Sequence, residues 1–280
     1  MHISRYNPLF SNIFHSRRYF CKKKFPGEST FGLIKPDGMA HLGPIFDIIH
    51  EEGFYIRSLR MSQFTKASAK VLYADHTDKD YYPPFADYIV TGPVIGLRLG
   101  RLDAINHWRK VIGPTDPEEA KQKAPKSIRA LYGTNERVNA VHGADNEKTV
   151  YKEIDFFFGN NSLMKRLPTV YPNTILMLTP EIIQTGKLGS IIEEINTTGC
   201  KINAMQAFDA VQLRQLGNEL GVEDANKIIK KKISTGNCIL MEVSHPKGYD
   251  TLLEEMLRVE NKFDTGFSHF DRGENKLSEK

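Results

Sequence analysis

Apolar positions in the first half of the chain alternate between strand and helix spacings. Residues 30–35 are a short apolar run that predicts a buried strand, and the turn residues Pro36, Asp37 and Gly38 follow it. Proline suits the first turn of a helix and glycine the residue after the last, so a helix is predicted from Pro44 to Gly53. The same patterns then predict strands at 54–61, 94–99 and near Val138, helices at 67–75, 82–90, 102–112 and 146–157, a long polar loop after Gly113 and a short turn at 127–132.

This alternation of elements indicates a fold class. The order strand–helix–strand–helix–strand–helix–strand is typical of an α+β fold in which helices cover a sheet. We therefore predict a ferredoxin-like antiparallel sandwich for the first half of the chain.

The same pattern returns in the second half. The segment at 31–37 (FGLIKPD) matches 175–181 (ILMLTPE), displaced by 144 residues, and 43–53 matches 189–199, displaced by 146. The Thr-Gly turn and strand beginning at Thr91 match those at Thr235, again displaced by 144. Three matched segments at nearly one displacement predict a tandem duplication.

Composition marks the boundaries of the two copies. The predicted organisation is a basic N-terminal arm at 1–29, a first domain at 30–158, a linker rich in Asn, Gly and Pro at 159–172, a degenerate and truncated second copy at 173–258 and a polar tail at 259–280.

The positive charge is concentrated in the arm. The chain has a formal net charge of +4, and residues 1–27 hold six Lys or Arg side chains and no acid, so the remainder is slightly acidic. Such a body lacks the basic surface that binds nucleic acid. The arm itself has two open interpretations: a mitochondrial transit peptide, which Pro8 in its helical pattern disfavours, or an uncleaved segment that binds an acidic partner.

Two further classes of protein are disfavoured. No apolar run approaches the roughly 18 residues that a bilayer span requires. The three cysteines, Cys21, Cys200 and Cys238, lack metal-ligand spacing. They predict reduced thiols and disfavour a protein built on a disulfide framework or a zinc site.

His142 is the first candidate for chemistry. It is followed by Gly143, which permits a tight turn, and by Asp145, a good N-cap for the next predicted helix. Glu153 lies within that helix, where its carboxylate can reach back to one imidazole nitrogen. This contact would fix the tautomer and leave the other nitrogen as a nucleophile.

A cationic group accompanies the histidine. Arg109 and Arg129 flank the segment that contains Thr115, and planar guanidinium groups suit polyphosphate oxygens. Lys35 ends an apolar strand, where a charge often faces a site. Phosphoryl transfer depends mainly on positioning and on neutralising charge, so these residues predict that chemistry.

Together these motifs resemble the ordered signature of the nucleoside diphosphate kinase family. The resemblance covers residues 31–158 and rests on Ile34-Lys35-Pro36-Asp37-Gly38, Thr91-Gly92-Pro93, Gly113-x-Thr115, Ile128-Arg129 and Asn139-x-x-His142-Gly143-x-Asp145. The loop from Gly113 to Arg129 is longer than in common members and is similar to a divergent branch. With the tandem copy, the chain most resembles the two-domain, seventh-type homologues found in ciliary axonemes.

The resemblance implies specific roles. His142 would carry the phosphoryl group in a ping-pong exchange between nucleoside triphosphates, such as ATP, and diphosphates, with Glu153 orienting it. Nucleotide binding would involve Lys35, Tyr73, His76, Tyr81, Arg109, Thr115, Arg129 and Asn139. Tyr73 would lie near the transferred group, Lys35 and Asn139 at the sugar, and Tyr81 stacked on the base. Lys35 would also lie near the γ-phosphate and so act as a catalytic residue with His142 and Glu153. Mg²⁺ would enter bound to the nucleotide, without protein ligands.

The chain departs from the family pattern at three places. Ala144 replaces a serine whose hydroxyl would link His142 to Glu153, so a loosened imidazole and slower turnover are expected. Val138 replaces an arginine. In the second copy Thr179 stands opposite Lys35, and the counterpart of His142 would fall beyond residue 280, so no kinase activity is expected there.

Two functions remain open at this point. One is an active nucleoside diphosphate kinase confined to the first domain. The other is a largely structural protein in which the fold docks on tubulin or other axonemal proteins. The expected location is the cytoplasm or the ciliary axoneme, with mitochondria as the alternative implied by the arm.

Overall fold

The computed structural model describes residues 28–159, 164, 173–219 and 236–263. The predictions for the arm at 1–27, for most of the linker and for the tail beyond 263 lie outside these residues. The strands are β1 (Glu28–Ile34), β2 (Tyr55–Gln63), β3 (Pro93–Arg101), β4 (Val141–Gly143), β5 (Asn173–Leu178), β6 (Lys201–Phe208) and β7 (Cys238–Ser244). The helices are α1 (Leu42–Glu51), α2 (Lys66–Leu72), α3 (Tyr82–Ile89), α4 (Ala104–Ile112), α5 (Pro117–Lys123), α6 (Ile128–Tyr132), α7 (Glu147–Phe158), α8 (Pro180–Gln184), α9 (Leu188–Thr197), α10 (Ala210–Glu219) and α11 (Tyr249–Phe263), with short 3-10 turns at Asp37–His41 and Ala74–His76.

The seven strands of the described residues form one antiparallel sheet in the order β4-β1-β3-β2-β6-β7-β5. The first four strands have the ferredoxin-like order, with β1 in the interior between β3 and β4. Helices cover both faces of this part of the sheet, which confirms the predicted α+β fold class. The last three strands repeat the arrangement of β1, β2 and β3.

The repeat is visible in the details of strand pairing. The register of β2 against β3 skips Arg57, which marks a β-bulge. The register of β6 against β7 skips Asn203 in the same way, and this residue is displaced from Arg57 by 146 positions. The two halves of the sheet join through Arg60 of β2 and Gln206 of β6, again displaced by 146. A contact between equivalent positions is the mark of an isologous interface, here within one chain. The division into two kinase-like domains stays a prediction.

Helices α1 and α9 pack closely on each other at the same junction. A Cβ added at Gly189 would overlap the backbone oxygen of Gly43, and one added at Gly43 would overlap the side chain of Glu193. Because both positions lack a side chain, the helix backbones approach each other and close the junction on one face of the sheet. The apolar core on this face runs through both halves of the chain.

The other face of the sheet carries a second apolar cluster that supports α7. It includes Phe31, Leu33 and Phe157, all fully buried. Trp108 of α4 lies on the first face against β1 and β4, since a Cβ on Gly32 or Gly143 would touch its indole ring. The ends of β1 and β4 are therefore held firmly from both sides.

Three predictions of secondary structure were wrong. The predicted turn at 127–132 contains helix α6, which Ser127 caps by accepting from the amide of Ala130. The last strand of the first half is Val141–Gly143 and does not lie near Val138, because the Val138 carbonyl accepts from the amides of Thr134 and Asn135 and closes a turn. Part of the predicted polar loop after Gly113 is helix α5. Asp116 caps it, Pro117 fills its first position, and Lys123 pairs with Glu119 one turn away.

Candidate functional site

A cavity of about 1040 Å³ opens beside the ends of β1 and β4. Nine of the ten predicted site residues line it: Lys35, Tyr73, His76, Tyr81, Arg109, Thr115, Arg129, Asn139 and His142. Glu153, the tenth, is buried behind His142. Residues separated by more than 100 positions along the chain thus share one pocket of the size that small ligands require.

His142 is oriented by Glu153. It is the middle residue of β4, opposite Leu33 of β1, and its Nε2 lies 2.8 Å from Oε1 of Glu153 on α7. An ionised carboxylate can only accept a hydrogen bond, so Nε2 carries the proton and Nδ1 keeps its lone pair. Ala144 provides no hydroxyl here and is fully buried, yet the contact between His142 and Glu153 forms directly.

Arg129 is a buried cation held by main-chain carbonyls. Its guanidinium donates to the carbonyl oxygens of Gly113, at 2.9 Å, and Val141, at 3.2 Å. Nε is buried without a partner among the described residues. Burial, with the neighbouring Arg109, lowers the pKa of Arg129 to about 10, so the group stays charged at neutral pH.

Arg109 lies at the exposed rim of the cavity. It forms an ion pair with Asp145, and both side chains are largely solvent-exposed. The prediction that Asp145 caps helix α7 was wrong: Asn146 is the N-cap, and its side chain accepts from the amide of Thr149. A solvent-exposed pair of this kind is weak, so an anionic ligand can compete for Arg109.

Lys35 is buried next to Asn139. Its Nζ donates to Oδ1 of Asn139, at 2.6 Å, and to the carbonyl of Arg137, at 3.1 Å. Burial, followed by the charge of Arg129, lowers the pKa of Lys35 to about 7. Asn139 in turn donates to the carbonyls of Thr115 and Glu136, at 2.9 and 2.8 Å, and so joins two loops of the cavity wall.

The mouth of the cavity holds an aromatic pair. His76 and Tyr81 are both exposed, and Nδ1 of His76 lies 2.6 Å from the Tyr81 hydroxyl. Tyr73 lies deeper, with its ring centroid 6.1 Å from that of His142 and nearly perpendicular to it. Both tyrosines therefore lie on the cavity wall, but only Tyr81 presents an open ring face.

Asp37 was predicted only as a turn residue, but its side chain also supports the site. Its carboxylate accepts from the amide of Ala140, at 2.7 Å, and from the hydroxyl of Tyr88. Ala140 has a φ of 65°, a conformation that non-glycine residues rarely adopt. The hydrogen bond from its amide helps to hold this strained residue, which joins Asn139 to β4.

Other cavity residues were also missed. Glu119, Glu136 and Arg137 line the wall, and no residue pattern distinguished them from surface charges. Within the described parts of the chain, no three His, Cys, Asp or Glu side chains come close enough to hold a metal ion. Nor is any helix there long and apolar enough to cross a membrane.

Sequence comparison with known proteins connects this chain to a family. A sequence model described as nucleoside diphosphate kinase matches residues 28–163. The nucleoside diphosphate kinase of Aquifex aeolicus is 40% identical over 133 residues, which are 47% of this chain and 94% of that protein. A solved structure of the Aquifex aeolicus enzyme covers 45% of this chain and 92% of its own, with 40% identity and a TM-score of 0.44.

Longer relatives extend into the second half. Nucleoside diphosphate kinase homolog 7 of Rattus norvegicus is 32% identical over 218 residues, which are 77% of this chain and 53% of that protein, and the Mus musculus homolog 7 matches to the same extent. The chain therefore spans about half the length of these curated relatives.

Proposed function

The chain belongs to the nucleoside diphosphate kinase family, and from the geometry of its cavity we propose that it is an active kinase of this kind. The observation that carries the proposal is the pairing of His142 with Glu153 at 2.8 Å, in a cavity that also contains two arginines and a lysine. The pairing fixes which nitrogen is nucleophilic, and the cations suit a polyphosphate.

The reaction has two balanced halves. In the first, the Nδ1 lone pair of His142 forms a bond to the γ-phosphorus of a nucleoside triphosphate. The bond from that phosphorus to the β–γ bridging oxygen breaks, and its electrons leave with the nucleoside diphosphate. In the second, a β-phosphate oxygen of another diphosphate attacks the phosphorus, and the P–N bond breaks to regenerate the imidazole. Nε2 keeps its proton throughout, hydrogen-bonded to Glu153, which stabilises the positive charge on the ring.

The surrounding side chains would position the nucleotide. Arg129 is rigidly held and charged, so it suits the transferring phosphate, while Arg109 would exchange Asp145 for a phosphate oxygen. Lys35 and Asn139 form one hydrogen-bonded unit that can bind sugar hydroxyls and the γ-phosphate. Tyr81 offers a stacking face at the mouth, with His76 beside it, and stacking tolerates any base. We therefore propose a broad range of nucleoside tri- and diphosphates as substrates.

We propose that Mg²⁺ enters with the nucleotide. Among the described residues, three carboxylates lie on the cavity wall. Asp145 is paired with Arg109, Glu119 pairs with Lys123, and Glu136 is the third. They are not arranged as a ligand cage, whereas Mg²⁺ commonly binds through substrate phosphates. When bound, the ion would neutralise charge on those phosphates.

The test is transfer of label from γ-labelled ATP to the protein. We expect acid-labile, alkali-stable phosphate on the wild type and none on His142→Ala, while ADP affinity stays nearly the same. The matched control is His107→Ala, a histidine paired with Glu52 outside the cavity, which should label like the wild type. A wild type that binds ATP and stays unlabelled refutes the kinase proposal.

We further propose that the second half of the chain is non-catalytic and serves in docking to a larger assembly. Its described strands lack a counterpart of β4, and Thr179 stands where Lys35 stands in the first half. The resemblance to axonemal homologues points to tubulin or axonemal proteins as partners and to the cytoplasm or axoneme as location. Replacing the arm at 1–27 by a neutral sequence should leave labelling of the protein and its location unchanged. Movement of the protein out of mitochondria in this variant would identify the arm as a transit peptide.

A further inference from the structure

Ala140, two residues before His142, has a strained backbone. Its φ of 65° lies in the left-handed region, which residues with a side chain rarely adopt. The amide of Val141 donates to the carbonyl of Asn139, at 2.7 Å, so Ala140 is the central residue of a γ-turn. A γ-turn with a positive φ at its centre is the rare, strained form, and such strain persists only where surrounding groups hold it.

The turn that follows β1 holds both backbone groups of Ala140. The amide of Lys35 donates to the Ala140 carbonyl, at 2.8 Å, and the Asp37 carboxylate accepts from the Ala140 amide, at 2.7 Å. A Cβ added at Gly38 would come within 2.4 Å of the Ala140 oxygen, so a larger residue there would displace it. Lys35, Asp37 and Gly38 thus form a clamp on Ala140.

The clamped residue lies between two groups of the proposed active site. Asn139, directly before Ala140, accepts from Nζ of Lys35, at 2.6 Å. His142, two residues after Ala140, lies 2.8 Å from Glu153. The backbone conformation of Ala140 therefore sets how the imidazole is placed relative to the groups that would bind the sugar. A loosened clamp would move His142 relative to the nucleotide without removing a contact to either.

Tyr88 of α3 closes the clamp from a position that does not line the cavity. Its hydroxyl donates to Oδ1 of Asp37, while Oδ2 accepts from Ala140. With both oxygens engaged, the carboxylate cannot turn away without losing one of the two hydrogen bonds. Burial, followed by the bond to Asp37, raises the pKa of the Tyr88 hydroxyl, so the group stays a donor at neutral pH.

The second half of the chain lacks the same pair of residues. In the repeat, Glu181 stands opposite Asp37 and Lys232 stands opposite Tyr88. The described strands of that half also lack a counterpart of β4. The tyrosine and the aspartate therefore occur together in the half that has a histidine strand to position.

We propose that Tyr88 is a positioning residue that locks Asp37 onto the amide of Ala140 and thereby holds His142 in place for phosphoryl transfer. The inference rests on the proposed kinase function, but the lock itself is a contact that can be measured without it. Because Tyr88 lies outside the cavity wall, it acts on the rate of phosphorylation and not on the affinity for nucleotide.

The experiment compares the full-length wild type with Tyr88→Phe, Ala140→Gly and the double variant. Single-turnover labelling of His142 by γ-labelled ATP should slow about five- to tenfold in Tyr88→Phe, the effect expected for one lost hydrogen bond, with the ADP dissociation constant unchanged. Ala140→Gly alone should change the rate by less than about twofold. Added to Tyr88→Phe, it should restore most of the lost rate, because glycine adopts a positive φ without strain and does not need the lock.

Tyr82→Phe is the matched control. Tyr82 lies at the other end of α3, is buried in the apolar cluster and does not line the cavity, so loss of its hydroxyl should leave labelling unchanged. Rates are compared at a temperature at which thermal unfolding shows every variant to be folded. A wild-type rate in Tyr88→Phe, a slow rate that Ala140→Gly does not restore, or a weaker affinity for ADP each overturns the proposal.

A second measurement does not depend on activity. Hydrogen–deuterium exchange of the full-length protein, followed by NMR without nucleotide, reports how often the hydrogen bond of the Ala140 amide opens. Exchange at this amide should be about five- to tenfold faster in Tyr88→Phe than in the wild type or in Tyr82→Phe. Equal exchange refutes the lock, whereas a wild type that binds ATP and stays unlabelled refutes only the kinase function.

Discussion

The buried position of Lys35 should make the proposed nucleotide binding depend on pH in a defined direction. Only 6% of its surface is exposed, and burial with the nearby Arg129 lowers its pKa to about 7. At about pH 8 roughly nine tenths of the free protein would therefore hold a neutral amine. A polyphosphate bound near Nζ favours the ammonium form and raises the pKa again, so binding takes up a proton.

The size of the effect follows from that displacement of the pKa. Above about pH 7.5 the dissociation constant for ADP should rise by about tenfold per pH unit, which corresponds to about 1.4 kcal/mol. The rise continues until the pH reaches the pKa of Lys35 in the complex. The terminal phosphate of the nucleotide titrates near about pH 6, so the range from about pH 7.5 to 9 isolates the contribution of the protein.

Isothermal titration calorimetry with ADP measures both quantities. Repeating the titration at about pH 8 in buffers with different heats of ionisation should show uptake of about 0.9 proton per bound nucleotide. Lys35→Met should bind more weakly at about pH 7 and lose the pH dependence in this range. Lys126→Met, which removes an exposed lysine outside the cavity, should keep the wild-type slope.

A flat affinity between about pH 7.5 and 9 with no proton uptake would refute this reasoning. It would show that Lys35 is already charged, or that no phosphate approaches it.

The effect of Lys35 on the stability of the fold depends on pH in the opposite direction to its effect on binding. The lysine pKa is about 7 in the folded chain and near 10.5 in the unfolded chain, so the unfolded state binds more protons between these values. The contribution of Lys35 to the free energy of unfolding thus rises with pH across that window.

Two further predictions concern the junction between the halves. In Gly189→Val the new side chain should overlap the Gly43 backbone and lower the free energy of unfolding by about 1–3 kcal/mol. Ser190→Val, at an exposed position on the same helix, is the control and should change it little. If urea titrations show that Gly189→Val is as stable as the wild type, the close packing of α1 and α9 is contradicted. Burial, followed by the charges of Glu51 and Glu193, raises the pKa of Asp47 in the folded state. The free energy of unfolding therefore falls as the pH rises from the unfolded pKa of Asp47 through its folded pKa. Asp47→Asn should therefore raise the melting temperature at neutral pH and flatten its decline from about pH 4 upward, and a lower melting temperature would contradict this account.

Most of the residues that line the cavity could be predicted from the sequence because they occur in short, ordered motifs. Nine of the ten predicted site residues line it, and Glu153 lies behind the histidine that it was expected to orient. The repeat was visible for the same reason, since equivalent glycines and strands recur at nearly constant displacement. The structure shows the same repeat, because β-bulges occur at the equivalent positions Arg57 and Asn203.

Errors arose where two local signals competed. Asp145 and Asn146 are both good N-caps, and only the position of Arg109, 36 residues away along the chain, assigned Asp145 to an ion pair. Apolar Val138 looked like the start of a strand, but the preceding Asn135 drew its backbone into a turn. A helix in the predicted polar loop was missed because its stabilising features are a cap and surface ion pairs, with little apolar periodicity.

The sequence by itself determined the spacing of apolar residues, and hence the elements, the fold class, the repeat and the residue types available for phosphoryl transfer. Only the tertiary structure decided which imidazole nitrogen faces Glu153, how far burial lowers the pKa of Lys35, and how β2 and β6 join two half-sheets into one. The physical reason is range. Helix and strand periodicity arises between near neighbours, whereas desolvation and hydrogen bonding in the site depend on groups more than 100 residues apart, such as Lys35 and Asn139.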